Sequence, residues 1–555
     1  MMIELYQLKC ALSAFTIMSL MVFIGFLPWI RAWRKTSDAP FNLIEESCFS
    51  VVATVIFLAV TGFIVSLVPS QLKHTVSLIF IILTLLLGGF KTILSSKNKD
   101  QVKAKPLELI TIGGFLLFGV FVLILTSIKY PLKDNLPDGA YVNKEHVSSV
   151  KIQAITGNFP ADNAVPFVVE EYLAKGISFK ENSPILPGQH VANRPILVSL
   201  VTLPIRVALR SPKEMGNLPT YEYVSTQWPD FRVLMRDEAA FSVFLGVGVF
   251  LNACLFLGAG LMATRIERFS WRSGALLFSL FATSPYFIFQ TMFTWPKSLA
   301  GFFIITSIFI FQKYKNPFLT GMLLALAYLS HPYAIGYFIV ASCIFFIWGN
   351  TESLYNRLST VAVIALSFVL FVSPWFIWIR FFVGGSSDLI AQNFSSSEVS
   401  AFQFFWPRAV NLMNATFPTH LLSFDAHLTS IYTSSSLNLA GAVGLLLFVI
   451  FVSMTGFTMF FGNTIQSKNL SLPPPTDIKQ CVWIFGLASL LLACVFSYPA
   501  VAVVHGWQPL AALVLLLGVY WANNSKIALA LCWLQVLINI TMTVMYFYRR
   551  FLISD

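Results

Sequence analysis

The sequence predicts an all-α polytopic membrane protein with about 14 transmembrane helices and a large extracytoplasmic α-helical loop. Three observations lead to this prediction. Hydrophobic residues make up 57% of the 555 residues, charged residues only 11%, and the mean hydropathy is +0.75. Soluble proteins carry roughly 25% charged residues, so this chain cannot cover a water-exposed surface. Long apolar runs recur along the chain, and one long polar segment interrupts them.

A membrane-spanning helix needs about 20 mostly apolar residues. Fourteen segments approach this description, and the seventh to ninth of them are short. The first is expected to be retained, because its apolar run exceeds that of a signal peptide and basic residues follow it. The segments lie near 10–30, 48–68, 74–93, 107–128, 240–262, 272–293, 298–312, 317–330, 333–349, 359–382, 437–461, 480–503, 506–522 and 526–547.

The basic residues of the short loops predict the orientation, because lysine and arginine accumulate on the cytosolic side. With the 31–47 loop in the cytosol, the cytosolic short loops hold seventeen such residues and the opposite side six. Both termini then lie outside. The net charge of +11 has the same origin, so we expect contact with anionic lipid and no nucleic-acid binding.

The long polar segment, 129–239, lies on the outer side in this topology and holds twelve acidic and twelve basic residues. A loop this long is usually functional or independently folded. Helix-like runs at 144–156 and 164–175 and a semi-apolar run, Pro195 to Leu209, predict amphipathic or interfacial helices on the membrane surface. A second outer loop follows at 383–436.

Several acidic residues follow the fourth span, in the order Asp134, Asp138 and then Glu145 beside His146. A general base needs a carboxylate or an imidazole near the acceptor hydroxyl, and this group offers both. The alternative is a solvated start of the loop with helix-capping acids.

Two basic residues are candidates for binding phosphate. Arg194 precedes the run that returns to apolar surroundings, and a guanidinium can bind phosphate through two hydrogen bonds. Lys297 is the charged residue of a tight outer turn, Thr294-Trp295-Pro296-Lys297. The alternatives are an ordinary surface arginine and a lysine that extends its ammonium to the interface.

Two histidines fall at the same outer boundary. His331 stands between two spans in Ser330-His331-Pro332-Tyr333, and His505 precedes Gly506-Trp507-Gln508. Either could assist at a phosphate site. Either could also be an interfacial residue of the kind that accompanies tryptophan.

Taken together, these clusters resemble the GT-C superfamily of integral-membrane glycosyltransferases, and within it the protein O-mannosyltransferases and aminoarabinose transferases, which use polyprenyl-phosphate sugars. The resemblance covers roughly 107–382. It depends on Asp138 and Glu145-His146 before Gly157-Asn158-Phe159-Pro160, on Arg194-Pro195-Ile196-Leu197, on Thr294-Trp295-Pro296-Lys297 and on Leu329-Ser330-His331-Pro332.

The sequence departs from the family pattern in two ways. Three spans precede the usual first span, and the usual leading pair of acids is absent, since Asp138 is followed by glycine and Glu145 by histidine. Which of the two is the base therefore stays open. Asp138 ranks first because it follows the fourth span most directly.

The resemblance implies inverting transfer of a sugar from a polyprenyl-phosphate donor to a glycan, lipid or protein acceptor. Asp138 or Glu145 would be the catalytic base, and the leaving phosphate and the substrates would be bound by a set of basic residues. No cofactor is expected, although a divalent metal stays an alternative, and the spacing of the seven cysteines indicates neither disulfides nor a metal site. The expected substrate-binding residues are His146, Arg194, Lys297, His331 and His505.

The expected organisation is an N-terminal transmembrane addition (1–106), a GT-C-like catalytic core (107–382, including the extracytoplasmic loop), the second outer loop and C-terminal transmembrane helices (437–555). The composition fits a bacterial inner membrane with the active site facing the periplasm or exterior.

Two other functions compete with the transferase. A transporter or flippase of a lipid-linked saccharide would place polar residues at the bilayer midplane and break helices with glycine and proline. A polysaccharide polymerase or ligase would rely on arginines of the outer loop instead of a carboxylate base.

Overall fold

In a computed structural model of the chain, the residues that the structure describes are predominantly helical. The all-α membrane class is confirmed for this part of the chain. The described residues are 2–3, 5–34, 41–96, 104–129, 165–180, 191–210, 238–266, 269–292, 295–348, 353–384, 400–416, 476–495 and 506–551.

Eighteen helices follow one another in the described ranges, and a two-residue antiparallel pairing joins β1 (Met2–Ile3) to β2 (Ile128–Lys129). A π-helical stretch, Met21–Phe26, connects the first two helices into one long rod. The helices are α1 (Leu5–Leu20), α2 (Leu27–Arg34), α3 (Leu43–Leu67), α4 (Ser70–Ser96), α5 (Pro106–Thr126), α6 (Val165–Lys175), α7 (Leu197–Leu209), α8 (Glu238–Ala263), α9 (Trp271–Thr283), α10 (Pro285–Met292), α11 (Lys297–Tyr314), α12 (Pro317–Ser330), α13 (Ala334–Trp348), α14 (Leu354–Trp378), α15 (Ala401–Thr416), α16 (Thr476–Val495), α17 (Gln508–Ala522) and α18 (Lys526–Phe551).

Eight helices of the described part are long and apolar enough to cross a membrane, or nine if the bent pair α9–α10 is one span. Thirteen of the fourteen segments expected from the sequence coincide with helices, and the 437–461 segment lies outside the described residues. However, α12, α13 and α17 have only 14, 15 and 15 residues, fewer than the ~20 that a full span needs. A multi-pass membrane protein is supported, and the total of fourteen stays a prediction.

The bend between α9 and α10 measures 66° and has a local cause. Ser284 precedes Pro285, and the proline ring disfavours helical backbone angles at the residue before it. Ser284 accordingly adopts an extended conformation, with φ −66° and ψ 120°.

Helix α8 forms the centre of the bundle. Its whole apolar window is buried, compared with 17% for α4, which presents leucine, isoleucine and phenylalanine outward as a lipid-facing helix does. Gly246 of α8 faces the backbone of Ala11 in α1, so the two helices approach more closely than side chains would allow.

Helices α6 and α7 correct one expectation about the outer loop. The 164–175 run and the run from Pro195 to Leu209 do form helices, but these are buried inside the protein and do not have the exposed polar face of an amphipathic surface helix. Every residue from Val165 to Ala174 is buried, and α7 is buried along nearly its whole length against α3, α4 and α8. Helix α7 is apolar around most of its circumference, and a helix of this kind is shielded from water, either inside a protein core or within a membrane.

Candidate functional site

Three of the seven residues expected at the site lie in described parts of the chain. Asp138, Glu145, His146 and His505 fall outside them. The other three, Arg194, Lys297 and His331, come from segments that are far apart in the sequence, and the structure brings them together around one tryptophan.

Trp295 is the residue that these three share. The guanidinium carbon of Arg194 lies 4.1 Å from the centre of its indole ring, and the Lys297 Nζ lies 5.7 Å from it. The His331 imidazole is centred 4.2 Å from the same ring. Cations are attracted to the negative face of an indole, which partly compensates for their removal from water. Trp295, Lys297 and His331 are all at most 3% exposed.

The His331 side chain is held by its own turn. His331 terminates α12, and the backbone N–H of Tyr333 donates a hydrogen bond of 3.2 Å to its Nδ1. The Tyr333 hydroxyl in turn donates to the carbonyl oxygen of Lys297 at 2.9 Å. The turn after α12 is thereby fastened to the start of α11.

Three helices begin at this place. Helix α11 starts at Lys297, α13 starts one residue after Tyr333, and α17 starts two residues after Gly506. Besides the Tyr333 bond, the hydroxyl of Tyr337, in the first turn of α13, donates to the Gly506 carbonyl at 2.6 Å. Several first-turn N–H groups are already paired within the protein, such as those of Ala334 with the His331 carbonyl and of Gly336 with the Tyr333 carbonyl. What the three helix starts add to the site is the partial positive charge of a helix N-terminus.

Neutral polar groups lie at the same helix starts. Asn252 of α8 accepts the Leu299 N–H at 3.3 Å, and Gln508, the first residue of α17, donates to Gln290 of α10 at 3.3 Å. Ser298 is buried next to Lys297 in the chain. Amides and a hydroxyl are therefore buried along with the charged groups at this end of the bundle.

The segment that carries Arg194 is positioned by α6 and α7. The Arg194 N–H donates to the Val191 carbonyl at 2.9 Å, and α7 starts three residues later. Ser199 of α7 donates to the Pro166 carbonyl at the start of α6 at 2.7 Å. Lys73 of α4 donates to the Leu173 carbonyl at 2.6 Å, so it caps the end of α6.

A buried ion pair joins α6 to α7. The Arg206 Nε donates to the Glu171 carboxylate at 2.9 Å, and both side chains are completely buried. Glu170 is buried beside them. Burial raises the pKa of Glu170 well above its ordinary value; the Arg206 charge opposes this rise and the Glu171 charge adds to it. The neutral, protonated form of Glu170 is therefore favoured relative to an ordinary glutamate.

Reasoning from the sequence missed the central residue of this arrangement. In the sequence, Trp295 drew attention only as a neighbour of Lys297. The residues around a tryptophan in the sequence do not show whether it packs against cations or faces lipid. Tyr333, Gln290 and Glu170 were missed for the same reason. The one available signal was that acidic and amide residues stood in otherwise apolar helical runs, where they are costly unless paired.

Chemically, the described part of the site combines two cations, a histidine and a tryptophan beside apolar helices. In the described residues no three His, Cys, Asp or Glu side chains gather as metal ligands would. Compared with family models, with curated proteins and with solved structures, the chain gave no match.

Proposed function

We propose that the protein is an integral-membrane glycosyltransferase of the GT-C type, which takes a sugar from a polyprenyl-phosphate donor. One observation carries the proposal: Arg194, Lys297 and the first turns of three helices meet around Trp295 at one end of the bundle. This concentration of positive charge suits a phosphate group. The apolar helices around it suit the hydrocarbon chain of a lipid carrier.

The position of Lys297 strengthens the argument for an anionic ligand. A cation at a helix N-terminus is electrostatically unfavourable, because the helix end is itself partially positive. Lys297 is nevertheless completely buried at the first position of α11, and its ammonium and the Arg194 guanidinium both lie over the Trp295 ring. A phosphate bound there would be attracted by both cations and by the positive end of the helix.

The proposed reaction is an inverting displacement. Asp138 or Glu145 takes the proton of the acceptor hydroxyl, and the hydroxyl oxygen attacks the anomeric carbon. The bond between that carbon and the phosphate oxygen breaks, and the electron pair leaves with the lipid phosphate. Arg194 and Lys297 stabilise the charge that develops there. His146 and His505 complete the proposed donor site.

The setting of the reaction is part of the same proposal. The protein has fourteen spans, and the site faces the exterior or periplasm of a bacterial inner membrane. The acceptor is a glycan, a lipid or a protein. No metal takes part in the steps proposed.

Transfer by purified protein in nanodiscs tests the proposal, with a panel of polyprenyl-phosphate sugars and acceptor-containing membranes. Asp138→Asn or Glu145→Gln is expected to abolish consumption of the donor. Arg194→Gln and Lys297→Met are each expected to lower kcat/KM by about 10- to 100-fold, since hydrogen bonds to charged groups contribute ~1.5–3 kcal/mol.

Two exposed residues at the same end of the bundle provide matched controls. Arg380→Gln and Lys180→Met remove the same charges outside the cluster and should leave the rate within about twofold, because exposed charges contribute little. The proposal fails if no donor is consumed, or if all four site variants keep the full rate. Translocation of a lipid-linked saccharide would then be the activity to measure.

A further inference from the structure

The turn after α12 determines which nitrogen of His331 carries the proton. The Tyr333 backbone N–H donates to Nδ1 at 3.2 Å. An amide N–H can only donate, so Nδ1 must present its lone pair. In this arrangement the imidazole is neutral, and its proton is on Nε2, at the other side of the ring.

The surroundings oppose a second proton on the ring. Arg194 and Lys297 contribute positive charges around Trp295, on which His331 also packs. His331 is only 3% exposed, and the nearest titratable side chains after it in the chain are Tyr333, in the turn, and Tyr337, in α13. An imidazolium here would be desolvated, and its Nδ1–H would point at the Tyr333 N–H.

We propose that His331 is a neutral hydrogen-bond donor at the phosphate site, acting through Nε2–H. This inference rests on the proposed function, since the acceptor it assigns is an oxygen of the donor's phosphate. Arg194 and Lys297 supply positive charge to the phosphate. His331 orients the phosphate through a hydrogen bond and adds no third charge. His331 is therefore not the general acid of the reaction. The lipid phosphate leaves without taking a proton from it, which is chemically reasonable because the second pKa of a phosphate monoester is about 6.

Asparagine and glutamine separate this role from a purely structural one. The Asn side chain places a polar atom near the position of Nδ1, so His331→Asn can still accept the Tyr333 N–H in an Asx-type turn. The Gln side chain reaches the position of Nε2 and can still donate to the phosphate. The proposal predicts that His331→Gln keeps kcat/KM within about threefold, whereas His331→Asn lowers it about tenfold, the equivalent of one hydrogen bond. The reverse order of the two variants would mean that His331 only stabilises the turn.

A spectroscopic measurement covers the case in which His331→Gln does not fold. The chain has seven histidines, so selective ¹⁵N-histidine labelling gives a simple spectrum, and the signal lost in His331→Asn identifies His331. The proposal predicts the neutral Nε2–H tautomer throughout about pH 6–8, and a shift of this signal on adding polyprenyl phosphate. A positively charged ring within that range, the Nδ1–H tautomer, or no shift with the lipid would each overturn it.

The two measurements also separate the two proposals. If native protein consumes no donor but the His331 signal shifts with polyprenyl phosphate, transfer is wrong and the phosphate-binding role stands. If transfer proceeds while the tautomer or the order of the variants is contrary to expectation, only the role of His331 is wrong.

Discussion

Lys297 illustrates at the scale of one residue why burial matters to the function. A lysine near the end of a span ordinarily extends its ammonium to water. In this structure Lys297 is completely buried and lies near the Trp295 ring. Ionisable groups buried in membrane proteins are costly, so they usually mark functional sites. The same reasoning draws attention to the buried carboxyl group of Glu170.

Replacing Glu170 by glutamine tests the protonation of that carboxyl group. Because burial raises its pKa, the folded protein keeps the proton while the unfolded chain loses it. The stabilising contribution is therefore complete below the ordinary pKa of glutamate and decreases as the pH rises towards the folded-state value. Glu170→Gln should melt at a higher temperature than native protein at about pH 8, with the difference vanishing near pH 4.5. A difference that is independent of pH would contradict the assignment.

At the scale of elements, one helix crossing sets the position of Arg194. Gly62 of α3 faces the backbone of Leu200 in α7, so a side chain at position 62 would collide with the main chain. Helix α7 begins three residues after Arg194. Any displacement of α7 should therefore move the guanidinium relative to Trp295.

Gly62→Ala is expected to destabilise the protein by about 1–3 kcal/mol, because backbone cannot move aside as a flexible side chain can. It should also raise the KM for the donor. Gly113→Ala is the matched control, since a methyl group there would meet nothing within 4 Å. Thermal unfolding and donor kinetics of both variants provide the measurement, and equal behaviour of the two would refute the crossing argument.

A second arrangement holds the opposite end of α11. The Lys313 ammonium contacts both oxygens of the Glu45 carboxylate at 2.7 Å, and the Tyr314 hydroxyl also donates to it. Glu45 is 2% exposed and Lys313 21%. The helix that carries Lys297 at one end is thus anchored to α3 at the other.

Replacing one partner of the Glu45–Lys313 pair should destabilise the protein more than replacing both partners. Glu45→Met or Lys313→Met leaves a largely buried charge without its partner, at a cost on the order of 3 kcal/mol. The double variant should lose less than the sum of the two, and the thermodynamic cycle measures the coupling. Lys315→Met, at the exposed lysine two residues further on, should change the free energy of unfolding by less than about 0.5 kcal/mol. Additive losses would mean that the pair contributes nothing.

At the scale of the whole molecule, the contacts between loops fall into two groups, one for each predicted side of the membrane. One group contains the segments predicted to lie outside. The Lys73 Nζ donates to the Leu173 carbonyl, Phe179 packs on Trp378 with ring centres 5.2 Å apart, and the Arg194 guanidinium lies over Trp295.

The other group contains segments predicted to lie in the cytosol. Glu45 pairs with Lys313, and Arg265 pairs with Asp477. The Ser273 hydroxyl donates to the Asn523 side chain at 2.7 Å. Each contact joins loops, or the span ends next to them, on one predicted side, as expected if the assumed alternation of spans is correct within the described chain.

Labelling with a membrane-impermeant maleimide tests which group faces the cytosol. In a variant without native cysteines, Lys180→Cys should react in intact cells, whereas Lys526→Cys should react only after permeabilisation, because the bilayer excludes the reagent. Both positions are exposed. The opposite pattern would reverse the orientation and place the site in the cytosol.

The sequence predicted the helices better than their packing. The positions of α3, α4, α8 and α14 follow from apolar runs, because transfer into lipid depends on each residue and its immediate neighbours. The burial of α6 and α7 could not be predicted, since it depends on surfaces supplied by distant helices. The sequence predicted that α12 would be short, but it did not predict that the end of α12 would position His331.

The sequence by itself therefore determined that the chain enters a membrane, where its helices run, and which polar residues lie near one boundary. Each of those properties depends on the hydrophobicity and charge of residues that are neighbours in the sequence. Only the tertiary structure decided that Arg194, Lys297 and His331 meet at Trp295 and that Glu170 is buried beside the Glu171–Arg206 pair. Such proximity depends on close helix crossings, as at Gly62, and on hydrogen bonds between segments far apart in the chain, as between Tyr333 and Lys297.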